Sequence, residues 1–582
     1  MNSAVIVFAF FLSCCFLWHS SRPQHIDRFT ILTEHNPFML GIVVGLFAFS
    51  LTLLRVMWRF LQLGCKVVAI ASKYGLIASR WVWARQSSSF GTARFARVGE
   101  LRRAGLLKSQ GLLLGEFAGK EIRSGIDEHL LCMAPTKSGK TSCLVIPNLL
   151  SQPEASIVVN DPSGEAWGIT QRERAKVGPV FVWAPFSPLT SCFNPLDFVR
   201  VGTADERDDV EIIVSLLVPD SRNSEDGFWN SQARQVLTGL ILYVLHRHPP
   251  ERQTMAYVRH LLTVSEDAFE EVLLAMIHSG HPLVQRIANI IQQQESKLRS
   301  GVLATANTAT QIWDSERLTA ATRKSDFDFA ELRVRVGTVY LVVPPEHLAT
   351  YYPAIALMAG LAIASITRSA HRGENRVVFL LDEFANLGRL KPAESAITIA
   401  RKAGIQLCLF VQDMAQFRRV YGDTYHTFAA NCAAQVYFGF NDIRDAKHIS
   451  DTLGQLTVKT RSAGHHAGLT DIVPERFNSG SGEAGRALRT ADEVLNLPRN
   501  SCVICHQSVR PVLAKKVHYQ ERRYAGQWDH WDGRPPFADM LAFQETFSAR
   551  QRSTIGLLAH RPVIELPAPS PTASDESLPQ AA

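Results

Sequence analysis

This sequence lacks closely and evenly spaced cysteines, and that lack limits the kinds of protein the chain can be. The 582 residues include ten cysteines, without the dense and even spacing of a secreted scaffold held by disulfides. We therefore predict reduced thiols that are mostly buried. Charged residues make up 20% and hydrophobic residues 46% of the chain, which excludes a wholly disordered, collagen-like or multi-span transport protein. At roughly 150 residues per domain, the length predicts two to four folded units.

Acidic residues are nearly absent from one segment. Residues 55–108 contain eleven Lys or Arg and a single acid, Glu100. The net charge of +7 for the whole chain therefore originates in this segment. A basic segment of this kind suits the anionic inner leaflet of a membrane better than a DNA groove through the body of a protein.

Two long uncharged runs, residues 4–18 and 38–54, lie near the N-terminus. A membrane-spanning helix needs roughly 17–25 residues, so the second run is long enough and the first is short. The first run is either a retained helix or a cleaved signal peptide, although no Lys or Arg precedes it. We predict a membrane anchor of two transmembrane helices over residues 1–60 and a basic linker over 61–110. Because the basic segment follows the second run, we expect the large C-terminal body to face the cytoplasm.

Beyond the basic segment, short β-rich apolar runs alternate with helical stretches, which predicts a parallel sheet with helices on both faces. The predicted strands are 129–133, 156–160, 180–183, 338–343, 377–381, 405–411 and 435–440. Residues 201–326 instead have the apolar spacing of amphipathic helices and predict an inserted all-α subdomain. The α/β domain is then formed by 111–200 and 327–525. Residues 526–582 are a C-terminal extension whose Pro-, Ser- and Ala-rich end predicts a disordered tail.

A phosphate-binding loop follows the first predicted strand and precedes an apolar helical run, as a Walker A loop does. Its residues are Ala134, Pro135, Thr136, Lys137, Ser138, Gly139, Lys140 and Thr141. Backbone N–H groups of such a loop bind phosphates, Lys140 reaches the β and γ oxygens, and the Thr141 hydroxyl binds Mg²⁺. Ala134 stands where the consensus has its first glycine. The alternative is a helix start that binds no ligand.

A second motif supports nucleotide chemistry. Residues 377–381 predict a buried strand that ends in two carboxylates, Asp382 and Glu383. In a Walker B strand, Asp382 would hold Mg²⁺ through water and Glu383 would polarise the attacking water. Two acids at a strand end are also compatible with a solvated turn, but their pairing with the phosphate loop favours hydrolysis.

From about residue 90 to 520 the chain resembles the type IV coupling proteins, the TraG-like membrane ATPases of conjugation and type IV secretion. The matching stretches, besides the phosphate loop, are GTARF (91–95), IPNLL (146–150), PFSP (185–188), FNPLD (193–197), GFW (227–229), LVVPP (341–345), DEFANLG (382–388) and residues 486–498. The resemblance implies an α/β fold: a RecA-like P-loop NTPase domain with the inserted all-α subdomain, preceded by the N-terminal transmembrane anchor.

The resemblance also implies roles for two further residues, Arg401 as an arginine finger and Gln412 as a γ-phosphate sensor. Each has a plainer alternative, because a cation in the last turn of a helix complements its dipole and a polar residue after a strand often opens a loop. The chain departs from the family pattern at Ser163, where a lysine is usual, and at Ala184, where an acid is usual.

The sequence Cys502-Val503-Ile504-Cys505-His506 matches the pattern of covalent haem attachment. A β-strand places side chains three positions apart on opposite faces. Because these residues have a strand-like composition and lie in a body predicted to face the cytoplasm, we predict buried strand thiols instead.

The resemblance implies an inner-membrane ATPase, using ATP and Mg²⁺, that assembles as a homohexamer around a central channel. It would recruit relaxase-bound single-stranded DNA, secreted proteins, or both, and deliver them into a type IV secretion channel. Two alternatives are an FtsK-type translocase of double-stranded DNA and a nucleotide-binding assembly scaffold with weak hydrolysis.

Overall fold

The structure, a computed structural model, describes residues 41, 45, 48–64, 88–108, 110–187, 190–220, 224–369, 373–465 and 477–531. The predicted membrane run 4–18 and the predicted tail beyond residue 531 lie outside these residues. The chain divides into two units, residues 1–89 and 90–582. In the first unit, residues 48–64 are helical and expose large apolar side chains such as Phe49 and Phe60.

The second unit is built on one large sheet and a separate hairpin. The strands are β1 (Leu113–Phe117), β2 (Lys120–Arg123), β3 (His129–Met133), β4 (Ser156–Asn160), β5 (Val180–Trp183), β6 (Thr338–Leu341), β7 (Val377–Leu381), β8 (Ile405–Val411), β9 (Cys432–Tyr437), β10 (Gln455–His465), β11 (Phe477–Ala487), β12 (Ser501–His506) and β13 (Val509–Lys515). The large sheet has eleven strands in the order β2-β1-β13-β12-β9-β3-β8-β7-β4-β6-β5, and β10 pairs with β11.

From β9 to β5 the large sheet is parallel, as predicted. Five predicted strands, now β3, β4, β5, β7 and β8, are confirmed with the expected bounds. β6 ends two residues earlier than predicted, and β9 begins three residues earlier, directly after a helix that ends at Asn431. The strand predicted at Cys502–His506 is confirmed as β12, but the strands β13, β1 and β2 and the antiparallel pairing of this end of the sheet were not predicted. Several of these strands are only half-buried, so they lack the continuous apolar runs of the parallel strands.

Helices cover both faces of the sheet. They are α1 (Val98–Arg103), α2 (Ile146–Ser151), α3 (Glu165–Val177), α4 (Glu206–Leu217), α5 (Ser224–Arg247), α6 (Met255–Leu262), α7 (Glu266–Ile277), α8 (Pro282–Gln292), α9 (Ser296–Thr310), α10 (Glu316–Ala321), α11 (Leu348–Arg368), α12 (Lys391–Ala403), α13 (Met414–Tyr421), α14 (Tyr425–Asn431), α15 (Ile443–Leu453) and α16 (Ala491–Leu495). Short 3-10 turns lie at Pro195–Phe198, Pro250–Arg252, Gln311–Asp314, Phe329–Arg333, Pro345–His347, Phe384–Leu387, Gly422–Thr424 and Arg522–Tyr524. Between β5 and β6, the residues that the structure describes form helices and 3-10 turns but no strand.

Alternate residues of the central strands enter two separate cores. Leu131 and Met133 of β3 pack in one core, and Leu130 and Cys132 pack in the other. This alternation is the period of two expected of a strand that is buried on both faces. The sheet therefore separates the core shared with α11 and the helices between β5 and β6 from the core beneath α2 and α3.

Two segments that were predicted to lie outside the α/β domain, the linker 61–110 and the extension 526–582, contain residues that pack in the second unit. Leu101 and Leu106, within the predicted linker, are buried in the second unit. Asp529, within the predicted C-terminal extension, donates its backbone N–H to the carbonyl of Ile169 at 3.0 Å. Trp531 packs against Gly168 of the same helix, α3. The described fold thus includes these segments.

One helix in the described part of the chain, Pro345–Arg368, is long and apolar enough to cross a membrane. Its most apolar window is 72% buried inside the protein. Its side chains, including Ile355 and Leu361, belong to the core that also contains the helices between β5 and β6. The apolar side chains of this helix are thus buried within the fold.

The cysteines of the haem-like pattern lie on β12 and pack on opposite sides of the sheet. Cys502 is fully buried in the core beneath α2, whereas Cys505 packs against the other core. His506 is buried and its Nε2 lies 3.0 Å from the Glu128 carboxylate. The prediction of buried strand thiols is confirmed for Cys502, and Cys505 is partly buried.

Candidate nucleotide-binding site

Three adjacent parallel strands bring the predicted site residues to one edge of the sheet. β3 lies beside β8, and β8 lies beside β7. The phosphate loop follows β3, the two carboxylates follow β7, and Gln412 follows β8. Because the carboxyl ends of parallel strands share an edge, side chains far apart in sequence meet there.

The phosphate loop has a strained backbone that opens into a helix. Lys137 and Gly139 have φ angles of 62° and 88°, in the left-handed region. Glycine adopts this conformation without a steric penalty, which explains why residue 139 is a glycine. The loop is closed by a hydrogen bond from the Ser138 N–H to the Pro135 carbonyl at 3.1 Å. A π-helical turn, Thr141–Val145, then leads into α2. A loop with left-handed residues before a helix N-terminus turns N–H groups toward a bound anion.

Lys140 is held between two carboxylates. Its Nζ lies 2.8 Å from Asp382 Oδ1 and 2.5 Å from Glu383 Oε1. Burial by itself lowers the pKa of Lys140, but the two carboxylates outweigh burial, and the net shift is upward. Burial also raises the pKa of Asp382, against the opposing effect of the Lys140 charge. The lysine that would meet phosphate is therefore neutralised by the protein's own acids in this state.

Glu383 occupies an uncommon backbone conformation. Its φ and ψ angles of 54° and 40° are left-handed, which costs a residue other than glycine about 1–3 kcal/mol. Its N–H donates to Asp382 Oδ1 at 2.9 Å. Gln412 Nε2 donates to both oxygens of the Glu383 carboxylate, at 2.7 and 2.6 Å. The structure thus brings Gln412 into direct contact with Glu383, which in turn contacts Lys140.

A polar network supports the Glu383 carboxylate from behind. Asn386 Nδ2 lies 3.3 Å from Glu383 Oε2 and 3.0 Å from the Tyr352 hydroxyl, to both of which it donates. Gln416 Nε2 donates to Asn386 Oδ1. We did not assign these residues from the sequence. Asn386 lies three positions after Glu383, within the family-like stretch 382–388, and that position could have indicated a role in the site. Nothing in the sequence indicated such a role for Tyr352 or Gln416.

Lys516 is a second lysine at the phosphate loop that the sequence did not indicate. It follows β13, is nearly fully buried, and donates to the carbonyls of Ser138 at 3.0 Å and Phe438 at 2.8 Å. Its Nζ also lies 4.4 Å from the Phe438 ring centroid. Burial lowers its pKa. Lys516 therefore connects the phosphate loop to the residues after β9 and β13.

The two departures from the family pattern have local partners. The Ser163 hydroxyl accepts the Glu165 N–H at 3.3 Å, at the start of α3. Ala184 is fully buried, and its N–H donates to the Thr190 hydroxyl at 2.8 Å. Nearby, burial raises the pKa of Asp161 to about 7. Its carboxylate accepts the Trp167 N–H at 2.8 Å.

Arg401 lies in α12, which follows the Walker B segment and ends before Gly404, a residue with φ of 67°. The described part of the structure does not include its side chain. The predicted roles of Gln412 and Arg401 therefore rest on different observations. Gln412 contacts Glu383 directly, whereas the role of Arg401 rests only on its position in α12.

Open space borders the phosphate loop on the side of β9. A cleft of about 500 Å³ is lined by Pro135 and Thr136 of the loop, by Gln412, and by residues that follow β9, including Phe440. Its walls also carry Arg418, Arg419, Arg444, Asp413, Asp442 and Asp445. Charges of both signs line the cleft, so it is not a uniformly basic path for a nucleic-acid backbone.

The chain matches the family model described as "Type IV secretory system Conjugative DNA transfer" over residues 94–555. It is 27% identical over 478 residues to Protein VirD4 of Agrobacterium fabrum, covering 79% of this chain and 70% of the relative. It is 27% identical over 457 residues to conjugal transfer protein TraG of Escherichia coli, covering 70% of this chain and 71% of the relative.

Solved structures with the same fold include the plasmid coupling protein TrwB in two complexes. The complex with the ATP analogue ADPNP has a TM-score of 0.59 at 18% identity and covers 75% of this chain and 96% of TrwB. The complex with ADP and Mg²⁺ has a TM-score of 0.57 at 17% identity and covers 76% and 98%. At this identity the likeness concerns the fold.

Proposed function

This chain belongs to the type IV secretory system conjugative DNA-transfer family, and from that premise we propose that it is the ATP-driven coupling protein of a type IV secretion channel. The observation that carries the proposal is the cluster at the carboxyl edge of the sheet. There Lys140 contacts Asp382 and Glu383, and Gln412 contacts Glu383. This cluster combines a phosphate-binding cation, metal-binding oxygens and a candidate general base in one place.

The residues present fit MgATP. The N–H groups of the phosphate loop and the Lys140 ammonium would bind the phosphates. The Thr141 hydroxyl and the Asp382 carboxylate are the hard oxygen donors that Mg²⁺ takes. The Asp382 carboxylate already holds a cation, Lys140 Nζ, at 2.8 Å. When bound, Mg²⁺ neutralises negative charge on the phosphate oxygens.

Glu383 and Gln412 supply the chemistry of hydrolysis. The Glu383 carboxylate accepts a proton from water as the oxygen of that water attacks the γ-phosphorus, and the bond from the γ-phosphorus to the bridging oxygen breaks to release ADP. Before that step it must release Lys140, because the same Oε1 now accepts from Nζ at 2.5 Å. Gln412 holds the carboxylate through both oxygens. Because Gln412 follows β8 directly, a movement of Glu383 when ATP binds would also move the end of β8.

Arg401 completes the proposal in an oligomer. We assign it as an arginine finger that stabilises negative charge in the site of the adjacent subunit, within a homohexamer that surrounds a channel. Its place on α12, which begins shortly after the Walker B segment, is what supports this assignment. A finger supplied in trans makes each site dependent on its neighbour.

The N-terminal segment is proposed to anchor the protein in the bacterial inner membrane by more than one helix, with the large C-terminal unit in the cytoplasm. The apolar run 38–54, the described helix over 48–64 and the basic segment 55–108 support this orientation. From there the protein would recruit relaxase-bound single-stranded DNA, secreted proteins, or both, for delivery into the channel.

Steady-state ATP hydrolysis by the purified full chain in detergent tests this function. We expect Mg²⁺-dependent turnover, raised by single-stranded DNA, and its loss in Lys140→Ala. Lys120→Ala, which removes an exposed lysine of β2, is the matched control and should keep parental turnover. ATP binding without turnover would favour the assembly scaffold, and stimulation by double-stranded DNA alone would favour an FtsK-type translocase.

A further inference from the structure

A carboxylate and two imidazoles meet among the helices between β5 and β6. Glu206 begins α4, His246 lies in the last turn of α5, and His281 precedes α8 as its N-cap. Glu206 Oε1 lies 2.9 Å from His246 Nε2 and 3.3 Å from His281 Nε2. The two imidazole rings lie 4.6 Å apart. The three ligand atoms all lie within 4.8 Å of one another.

We propose that Glu206, His246 and His281 bind a divalent transition-metal ion of the Zn²⁺ class. Two imidazole nitrogens and one carboxylate oxygen are a ligand set typical of Zn²⁺ sites that keep a fourth position for water. Mg²⁺ and Ca²⁺ prefer oxygen donors, so this donor set selects against them. The site is separate from the phosphate loop and does not depend on the function proposed above.

The burial of the three side chains suits an ion that enters from solvent. The Glu206 side chain is 7% exposed, and those of His246 and His281 are 25% and 24% exposed. The second carboxylate oxygen of Glu206 accepts the Gly202 N–H, which orients the first oxygen toward the histidines. The carboxylate is thus fixed while the imidazoles remain within reach of water, as an open metal site requires.

Binding requires the Nε2 proton of each histidine to leave that nitrogen. His246 Nε2 lies 2.9 Å from the Glu206 carboxylate, so in the neutral ring its proton faces that carboxylate and must move to Nδ1. The same shift is needed in His281. Its Nδ1 now accepts the Val284 N–H at 3.3 Å, so in the neutral ring the proton lies on Nε2, which faces Glu206. An ion bound at Nε2 needs the other tautomer, with the proton on Nδ1, and the Val284 N–H then loses this acceptor. That hydrogen bond is longer than a typical one. We therefore expect a new metal–nitrogen bond to outweigh its loss.

The bound ion would join the starts of α4 and α8 to the end of α5. These ligands are far apart in sequence, and none of them touches the nucleotide cluster. Because an ion that binds only the folded state stabilises it, saturation with Zn²⁺ should raise the melting temperature of the full chain by a few degrees. EDTA should reverse the shift.

Metal titration of the untagged full chain in detergent, first stripped with EDTA, tests the proposal. We expect Glu206→Gln, His246→Gln and His281→Asn each to bind one Zn²⁺ fewer per chain than the parent. His281→Asn retains an N-capping side chain, which separates loss of a ligand from loss of a helix cap. His278→Gln, which replaces an exposed histidine three positions before His281, is the matched control and should bind as the parent does.

Co²⁺ provides a second readout, because a site with nitrogen ligands and low coordination absorbs visible light strongly. We expect this absorption in the parent and in His278→Gln, and its absence in the three ligand variants. Equal Zn²⁺ content and equal Co²⁺ absorption in parent and ligand variants would overturn the proposal. If the variants fold poorly, a parental melting temperature that does not respond to Zn²⁺ would overturn it as well.

Discussion

Replacing Glu383 with Gln should strengthen ATP binding while it nearly abolishes turnover. The substitution keeps the size of the side chain but removes one of the two carboxylates that hold Lys140. Glu383 Oε1 lies 2.5 Å from Lys140 Nζ, and both side chains are about 15% exposed. The contact is therefore only weakly screened by water, so its loss should change the affinity for ATP measurably.

The magnitude follows from this contact. A hydrogen bond to a charged group contributes about 1.5–3 kcal/mol, and a factor of ten in affinity corresponds to about 1.4 kcal/mol. ATP must displace the Lys140–Glu383 contact when it binds. The glutamine amide oxygen can still accept from Lys140 but carries no charge, and the difference between a charged and a neutral partner is about 1–1.5 kcal/mol, so the substitution should lower the Kd for ATP by roughly tenfold. The same change deletes the general base, which lowers the rate of the chemical step by about 10² to 10⁴.

Equilibrium binding of ATP to the full chain in Mg²⁺, together with single-turnover hydrolysis, measures both effects. Glu173→Gln, which removes a carboxylate paired with Lys176 on α3, serves as the control and should change neither quantity. Unchanged affinity in Glu383→Gln would refute the idea that Lys140 is restrained before ATP binds. Unchanged turnover would mean that Glu383 is not the base.

Three further predictions concern other residues. Lys516→Met should weaken ATP binding about tenfold with little change in kcat, because it removes a buried charged donor from the phosphate loop. The control Lys515→Met should leave the Kd for ATP unchanged. Equal Kd values in both variants would exclude a positioning role for Lys516. Arg401→Ala should lower hydrolysis by about 10³ to 10⁵ without weakening ATP binding, and mixing it with Lys140→Ala subunits should restore part of the activity; no rescue in rings shown to be mixed would count against a finger. Burial raises the pKa of Asp161 to about 7 from 3.8, so stability falls as pH rises through that range; Asp161→Asn should therefore raise the melting temperature more at pH 8 than at pH 5, and an equal shift at both pH values would contradict this pKa.

The sequence predicted the elements whose physical signals are local. The continuous apolar strands β3, β4, β7 and β8 are buried on both faces, so each stands out from the polar residues around it. Asp382 and Glu383 could be singled out because they end such a strand. The phosphate loop could be found because its spacing and its strand-to-helix setting are both visible along the chain.

The features that were missed depend on contacts between distant segments. The antiparallel strands β1 and β13 pair with each other although about 400 residues separate Glu116 from Lys515, and neither strand has a continuous apolar run. Lys516 reaches Ser138 from 378 positions away. When only the sequence is known, a lysine is expected to be exposed to solvent. Only the folded sheet reveals that it ends beside the phosphate loop.

Transfer of cargo by living cells tests the central claim most directly. Bacteria that keep the rest of the secretion apparatus but lack this gene would be complemented with the parental chain, Lys140→Ala or Glu383→Gln, and transfer of a mobilisable plasmid to recipient cells would be counted. We expect the parent to restore transfer and both variants to reduce it by at least about 10², while they remain in the membrane fraction in parental amounts. Near-parental transfer by either variant would contradict an ATP-driven coupling protein.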